Sequence, residues 1–155
     1  MPPWGEIKHA KFLTPNQLAV VGTLEIADIA TADIQGTVPI RFLLMQEKGP
    51  ENSDQGSLIL NGQATWDPQT DGNTWSTTDV SMPDGVPLAQ LKKSGQDDRN
   101  GECRGIAQAT LVRNHPDRDP ANPGHHPPPL FETITWCVNM EVLAEGVERP
   151  EPANP

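Results

Sequence analysis

Between Ser57 and Met82 the chain has to run out, reverse and come back. The stretch reads SLILNGQATWDPQTDGNTWSTTDVSM, two runs of strand-forming residues flanking Asp67-Pro68 and Asp71-Gly72-Asn73. Each turn residue has its own reason to be there. Proline holds φ at about −65°, glycine accepts positive φ, and Asp and Asn side chains bond back to their own backbone. On the outgoing run Leu58, Leu60, Gly62, Ala64 and Trp66 share one side, against Ile59, Asn61, Gln63 and Thr65. That is the period of a strand. On the return, Val80 and Met82 share a parity that Trp75 lacks. Parity therefore sends Trp66 to the core and Trp75 to the opposite, exposed face, unless a bulge shifts the phase.

Other stretches repeat the alternation. Leu18, Val20, Leu24 and Ile26 fall on one face of residues 18–26, and Val38, Ile40, Phe42 and Leu44 on one face of 37–46. Pro39 cannot donate to a ladder, which places it at the start of a strand or on an edge. Residues 103–112 carry small side chains at Gly105, Ala107 and Ala109, which lets a neighbouring layer approach closely. Residues 131–143 alternate most cleanly, with Ile134, Trp136, Val138, Met140 and Val142 against Thr133, Thr135, Cys137, Asn139 and Glu141. A short strand is expected over 86–91 and a turn of helix within 27–36.

Glycine and proline contribute 13 and 17 residues, so many short elements are favoured over a few long ones. With almost no helical periodicity, the chain reads as all-β: a single antiparallel β-sandwich of six to eight strands, with a small β-barrel as the alternative. Residues 1–10 read as an irregular lead-in and 11–145 as the sandwich domain with a long Pro/His-rich loop over 113–130. Residues 146–155 read as a disordered proline-rich tail.

The run GQATWDPQTDGNTWS from Gly62, with Met82-Pro83-Asp84-Gly85 after it, resembles the bacterial immunoglobulin-like domains. The resemblance spans about residues 57–85. It implies an immunoglobulin-like sandwich with a structural or adhesive role, and it transfers no catalytic residue.

Charge narrows the function. The formal net charge is −10 and the longest basic cluster is Lys92-Lys93. A phosphate backbone is repelled by such a field, so nucleic-acid binding is not expected. No apolar run approaches the ~18 residues of a membrane span. The first residues, MPPWGEIKHAKF, lack the apolar core of a secretion signal. The expectation is a cytoplasmic protein, or a virion or exported one delivered by a route that these residues do not encode.

Several residues are candidates for chemistry. The 113–130 loop holds six prolines and three of the four histidines. His115, Asp117, Asp119, His125 and His126 are donor types for zinc, although their spacing matches no known site. The same loop reads equally as a stiff polyproline-like surface for a partner. Asp67, Asp71 and Asn73 are oxygen donors of the kind calcium takes, and also ordinary turn residues. Cys103 and Cys137 would form a disulfide if the protein works outside the cell, and free thiols otherwise. Trp75 and Trp4 are the candidate contact surface, and indole faces stack on sugars. G-x-S-x-G, G-x-x-x-x-G-K-[ST] and H-E-x-x-H do not occur. The sequence thus points to a non-enzymatic interaction or assembly module that takes a protein partner or a second copy. A ligand- or carbohydrate-binding sandwich is the alternative, and metal binding through the loop is a weaker one, with no other cofactor expected.

Overall fold

The computed structural model describes residues 4–26, 29–46, 57–94, 101–115, 121, 124 and 127–145. Nine strands occur in it: β1 (Trp4–Thr14), β2 (Gln17–Glu25), β3 (Ile34–Gln35), β4 (Val38–Gln46), β5 (Leu58–Trp66), β6 (Thr74–Thr77), β7 (Val80–Ser81), β8 (Glu102–Arg113) and β9 (Leu130–Leu143). Three short 3₁₀ turns at Thr31–Asp33, Pro83–Gly85 and Leu88–Gln90 are the helical elements among the described residues. The long strands form where alternation is cleanest, and inward positions of β4 and β9 are buried as their parity demands.

The strands form one mixed sheet in the order β6-β2-β1-β9-β8-β4-β5-β7, with β3 pairing β8 beside β4. Two stacked antiparallel sheets are not what the ladders build. Neighbours are antiparallel except where His9–Lys11 of β1 run parallel to Glu141–Leu143 of β9. That pairing ties the first strand to the last. The two ends of the order, β6 and β7, are halves of one segment. Thr74–Thr77 pair with β2, and Val80–Ser81 pair with β5. The sheet thus nearly closes on itself, which fits the small barrel, and it supports a β fold without being immunoglobulin-like specifically. The interior is filled from every long strand, with Phe12, Leu18, Leu24, Ile40, Leu44, Leu60, Trp66, Leu111 and Met140 among its fully buried side chains.

The switch between partners happens at Thr77–Asp79. The Asp79 N–H donates to Thr77 Oγ1 at 2.9 Å, and the Val80 N–H donates to the Thr78 carbonyl at 3.0 Å. Thr77 Oγ1 itself donates to the Gln63 carbonyl at 2.7 Å, and the Gln63 N–H donates to the Asp79 carbonyl at 3.1 Å. This irregularity changes the inward parity from odd to even. Trp75, 2% exposed, and Met82 therefore both point inside. The expectation of an exposed Trp75 is wrong, because a phase shift sits between the residues whose parities were compared. Its ring lies 5.9 Å from that of Phe42. Phe42 in turn covers Gly62, where a Cβ would come within 2.1 Å of the ring.

The reversal after β5 is as its residues suggest, but the flanking strands do not ladder with each other; β6 turns away to β2. The indole of Trp66 donates to the Gly72 carbonyl at 2.8 Å, and Gly72 has φ 61°. The Gln69 side chain donates to the carbonyls of Thr31 (2.7 Å) and Ile34 (3.2 Å), fixing the turn to the neighbouring segment.

Residues 4–10 are not an irregular lead-in. They pair with β2 from Trp4↔Glu25 onward, with register shifts at Ile7/His9 and Phe12/Thr14. Those shifts break the period-two pattern by which a strand is read. Residues 86–91 are not a strand either; a 3₁₀ turn there delivers Leu91 into the core. The segment is held by Gln46, a buried polar side chain. Its Nε2 donates to the Lys92 carbonyl at 3.0 Å, and its Oε1 accepts from the Lys92 N–H at 2.6 Å. The amide thus supplies both partners a backbone strand would. Pro39 is opposite Thr65 in β4, one residue before the first pair with β8, Ile40↔Ala109. The tail 146–155 and most of 116–126 lie outside the described residues.

Trp75→Ala should lower the urea-unfolding free energy by about 3–5 kcal/mol, as expected for a buried aromatic; an exposed indole would cost almost nothing. Gly62→Ala should cost about 1–3 kcal/mol through collision with the Phe42 ring. Adding Phe42→Leu should remove much of that penalty, so that the double-mutant cycle is clearly non-additive.

Candidate functional site

The same alternation that fills the interior leaves an outward row on each strand, and the ladders bring these rows side by side. Gln108 of β8, Arg41 of β4 and Gln63 of β5 lie in line across the sheet. The next line is Cys137, Ile106, Leu43, Asn61 and Ser81, drawn from five strands. The one after holds Asn139, Arg104, Met45 and Ile59. Leu43 is 48% exposed, Ile106 50% and Ile59 39%, an apolar strip on the outside of a sheet.

A cleft of about 410 Å³ opens on this face. Its walls include Arg41, Leu43, Asn61, Gln63, Asp79, Ser81, Ile106 and Gln108. The volume is within the range of small-ligand sites, which are about 300–1,000 Å³. Gln63 Nε2 donates to Asp79 Oδ2 at 2.8 Å, so this carboxylate is already engaged. Gln108 Nε2 makes a long contact of 3.4 Å to Thr135 Oγ1. Gly62 leaves room under the cleft for the Phe42 ring. The arrangement offers amide donors and acceptors, one guanidinium and two aliphatic side chains. Asp79 and Ser81 add a carboxylate and a hydroxyl to the same lining.

None of these residues stood out in the sequence. The signal was present, since amides and aliphatics replace charges at outward positions of three strands. It has meaning only once the register sets Arg41 between Gln63 and Gln108.

The residues that did stand out are scattered. Trp75 is core, and so are Trp66 and Trp136, so stacking on a sugar falls to none of the three. Trp4 begins β1. Of the proposed zinc donors, His115 follows β8, while Asp117, Asp119, His125 and His126 lie outside the described residues. Among the described residues no three His, Cys, Asp or Glu side chains converge. Turn chemistry occupies the aspartates at 67 and 71. Asp67 Oδ1 accepts from the Gln69 N–H at 3.0 Å, and Asp71 Oδ2 from the Asp67 N–H at 3.3 Å. Asn73 Nδ2 donates to Glu25 Oε1 at 2.9 Å.

Cys103 and Cys137 are free thiols on neighbouring strands. Cys103 faces Met140 and points inward; Cys137 faces Ile106 and points outward. Opposite faces of one sheet cannot be bridged without turning a strand over. The intrachain disulfide considered for this pair is excluded by that geometry. Burial pushes the Cys103 thiol up from its ordinary 9.0 to about 11, and the hydrogen bond from Gln46 works the other way. No helix among the described residues is long and apolar enough to cross a membrane.

No protein-family model matches the chain, and no curated protein does. Among solved structures, the crystal structure of MtrC from Shewanella baltica OS185 overlays on it with a TM-score of 0.32 and 10% identity. The overlay covers 97% of this chain and 23% of that one. A likeness that slight shows neither fold nor function.

The two thiols should be distinguishable in solution. A disulfide reagent at neutral pH should titrate one thiol in the native protein and both after denaturation; rapid titration of both in the native state would place Cys103 at the surface. Because the folded state disfavours the Cys103 thiolate, the unfolded chain loses that proton first as pH rises. Stability should therefore fall between about pH 9 and 11, by roughly 2–3 kcal/mol at the upper end relative to Cys103→Ala.

Proposed function

We propose that this protein is a non-enzymatic binding module that docks a protein partner on the outer face of β9, β8, β4 and β5, with a second copy as the simplest partner. The observation that carries this reading is the apolar strip of Leu43, Ile106 and Ile59. Single exposed aliphatics are ordinary, but several adjoining ones at the middle of a sheet are a recognised mark of interaction sites. The surrounding amides supply the polar rim that such interfaces carry. The strongly acidic composition limits non-specific association and leaves the strip as the adhesive feature.

A second reading is favoured by the cleft itself. Its size and mixed lining suit a small ligand as well as a side chain from a partner.

The first reading is tested by sedimentation velocity from dilute to concentrated solution. The wild type should gain mass with concentration, and Leu43→Glu/Ile106→Glu should remain monomeric with an unchanged unfolding midpoint. A bismaleimide should cross-link the wild type through Cys137, which neighbours Ile106 in the ladder. A wild type that stays strictly monomeric at high concentration would remove self-association.

A further inference from the structure

We infer that the cleft takes a monoanionic carboxylate with a short apolar arm, held by the guanidinium of Arg41. The inference rests on the reading of the cleft as a ligand site.

Among the described residues Arg41 is the one cationic side chain lining the cleft. Among the described residues it forms no ion pair, although Asp79 lines the same cleft and is tied instead to Gln63 Nε2. Its planar fork is therefore available for two parallel N–H···O bonds, the geometry that carboxylates satisfy and a lysine cannot match. Gln63 and Gln108 are its direct cross-strand neighbours, and Asn61 is in the next line beside Leu43. These amides can donate to an oxygen or accept from an N–H of the ligand.

Charge sets the valence. One guanidinium balances one negative charge, and the Asp79 carboxylate at the wall penalises a second. A phosphomonoester, close to a dianion at neutral pH, is disfavoured on that count. The apolar arm follows from Leu43 and Ile106, both cleft-lining and about half exposed, which a branched aliphatic group would cover. Taken together these features describe an N-acylated aliphatic amino acid, or the C-terminal residue of a peptide.

The test uses a matched pair, N-acetyl-leucine and N-acetyl-leucinamide, titrated into the 155-residue chain and followed by ¹⁵N-resolved NMR. N-acetyl-leucine should shift the side-chain amides of Asn61, Gln63 and Gln108 with saturation, and Arg41→Gln should weaken its binding about tenfold or more, the loss of one charge-assisted pair. The melting temperature of Arg41→Gln should match the wild type, because the side chain is exposed and unpaired. Phosphoserine should bind more weakly than N-acetyl-leucine. Equal binding of the amide and the acid, or equal binding by Arg41→Gln, would overturn the carboxylate assignment while leaving the cleft a ligand site. If neither compound shifts the cleft amides, the ligand-site reading fails and the inference with it.

Discussion

Everything in this fold hangs on a segment that changes partners halfway along. A sheet of twisted strands with two free edges must protect them or close. Here the chain from Thr74 to Ser81 bonds β2 with its first half and β5 with its second, so one segment serves both ends of the sheet. The switch costs a break in the ladder, and the Thr77 hydroxyl mends it by accepting from Asp79 and donating to Gln63. Inside the break lies the Trp75–Phe42 contact, with Gly62 empty beneath the ring. Backbone closure and aromatic packing are thus the same local solution, and neither would survive a side chain at Gly62 unchanged.

The sequence was readable wherever one strand kept one phase. β2, β4, β5, β8 and β9 fall within a residue or two of where alternation puts them. The misreadings share a cause. A phase shift lies between Trp75 and the Val80–Met82 pair whose parity it is compared with, and two register shifts interrupt the pattern of β1. Parity is a local quantity, while a bulge is produced by what lies across the ladder. The turn residues gave the reversal at 67–73 correctly but not the strand that would receive the returning chain. Choice of partner is a long-range matter, decided here by the pairing of β6 with β2.

The outer face shows the same division. Which residues of β4, β5 and β8 point outward follows from alternation alone. That Arg41 lies between Gln63 and Gln108, and Leu43 between Ile106 and Asn61, follows only from register. Cys103 and Cys137 illustrate it most plainly. They lie on adjacent strands, yet an odd offset in the ladder puts them on opposite faces. Gln46 is a different kind of omission. A glutamine at an inward position reads as an interruption of the apolar pattern, whereas it binds both backbone groups of Lys92 in place of a missing strand. Such a residue cannot be told from a surface amide until the segment it holds has been placed.

The cleft and the closure are not independent. Gln63 donates from its backbone to the Asp79 carbonyl and from its side chain to the Asp79 carboxylate, while its carbonyl accepts from Thr77. Asp79 and Ser81, on the closing segment, line the cleft together with Gln63 and Asn61 of β5. The lining of the cleft therefore comes from both sides of the seam, where β7 and β5 pair at Asn61↔Ser81 and Gly62↔Val80. An occupant that bridges them favours the closed state over any opened one, by linkage. Closure and cleft thus share Gln63 and Asp79, so a change at either residue acts on both at once.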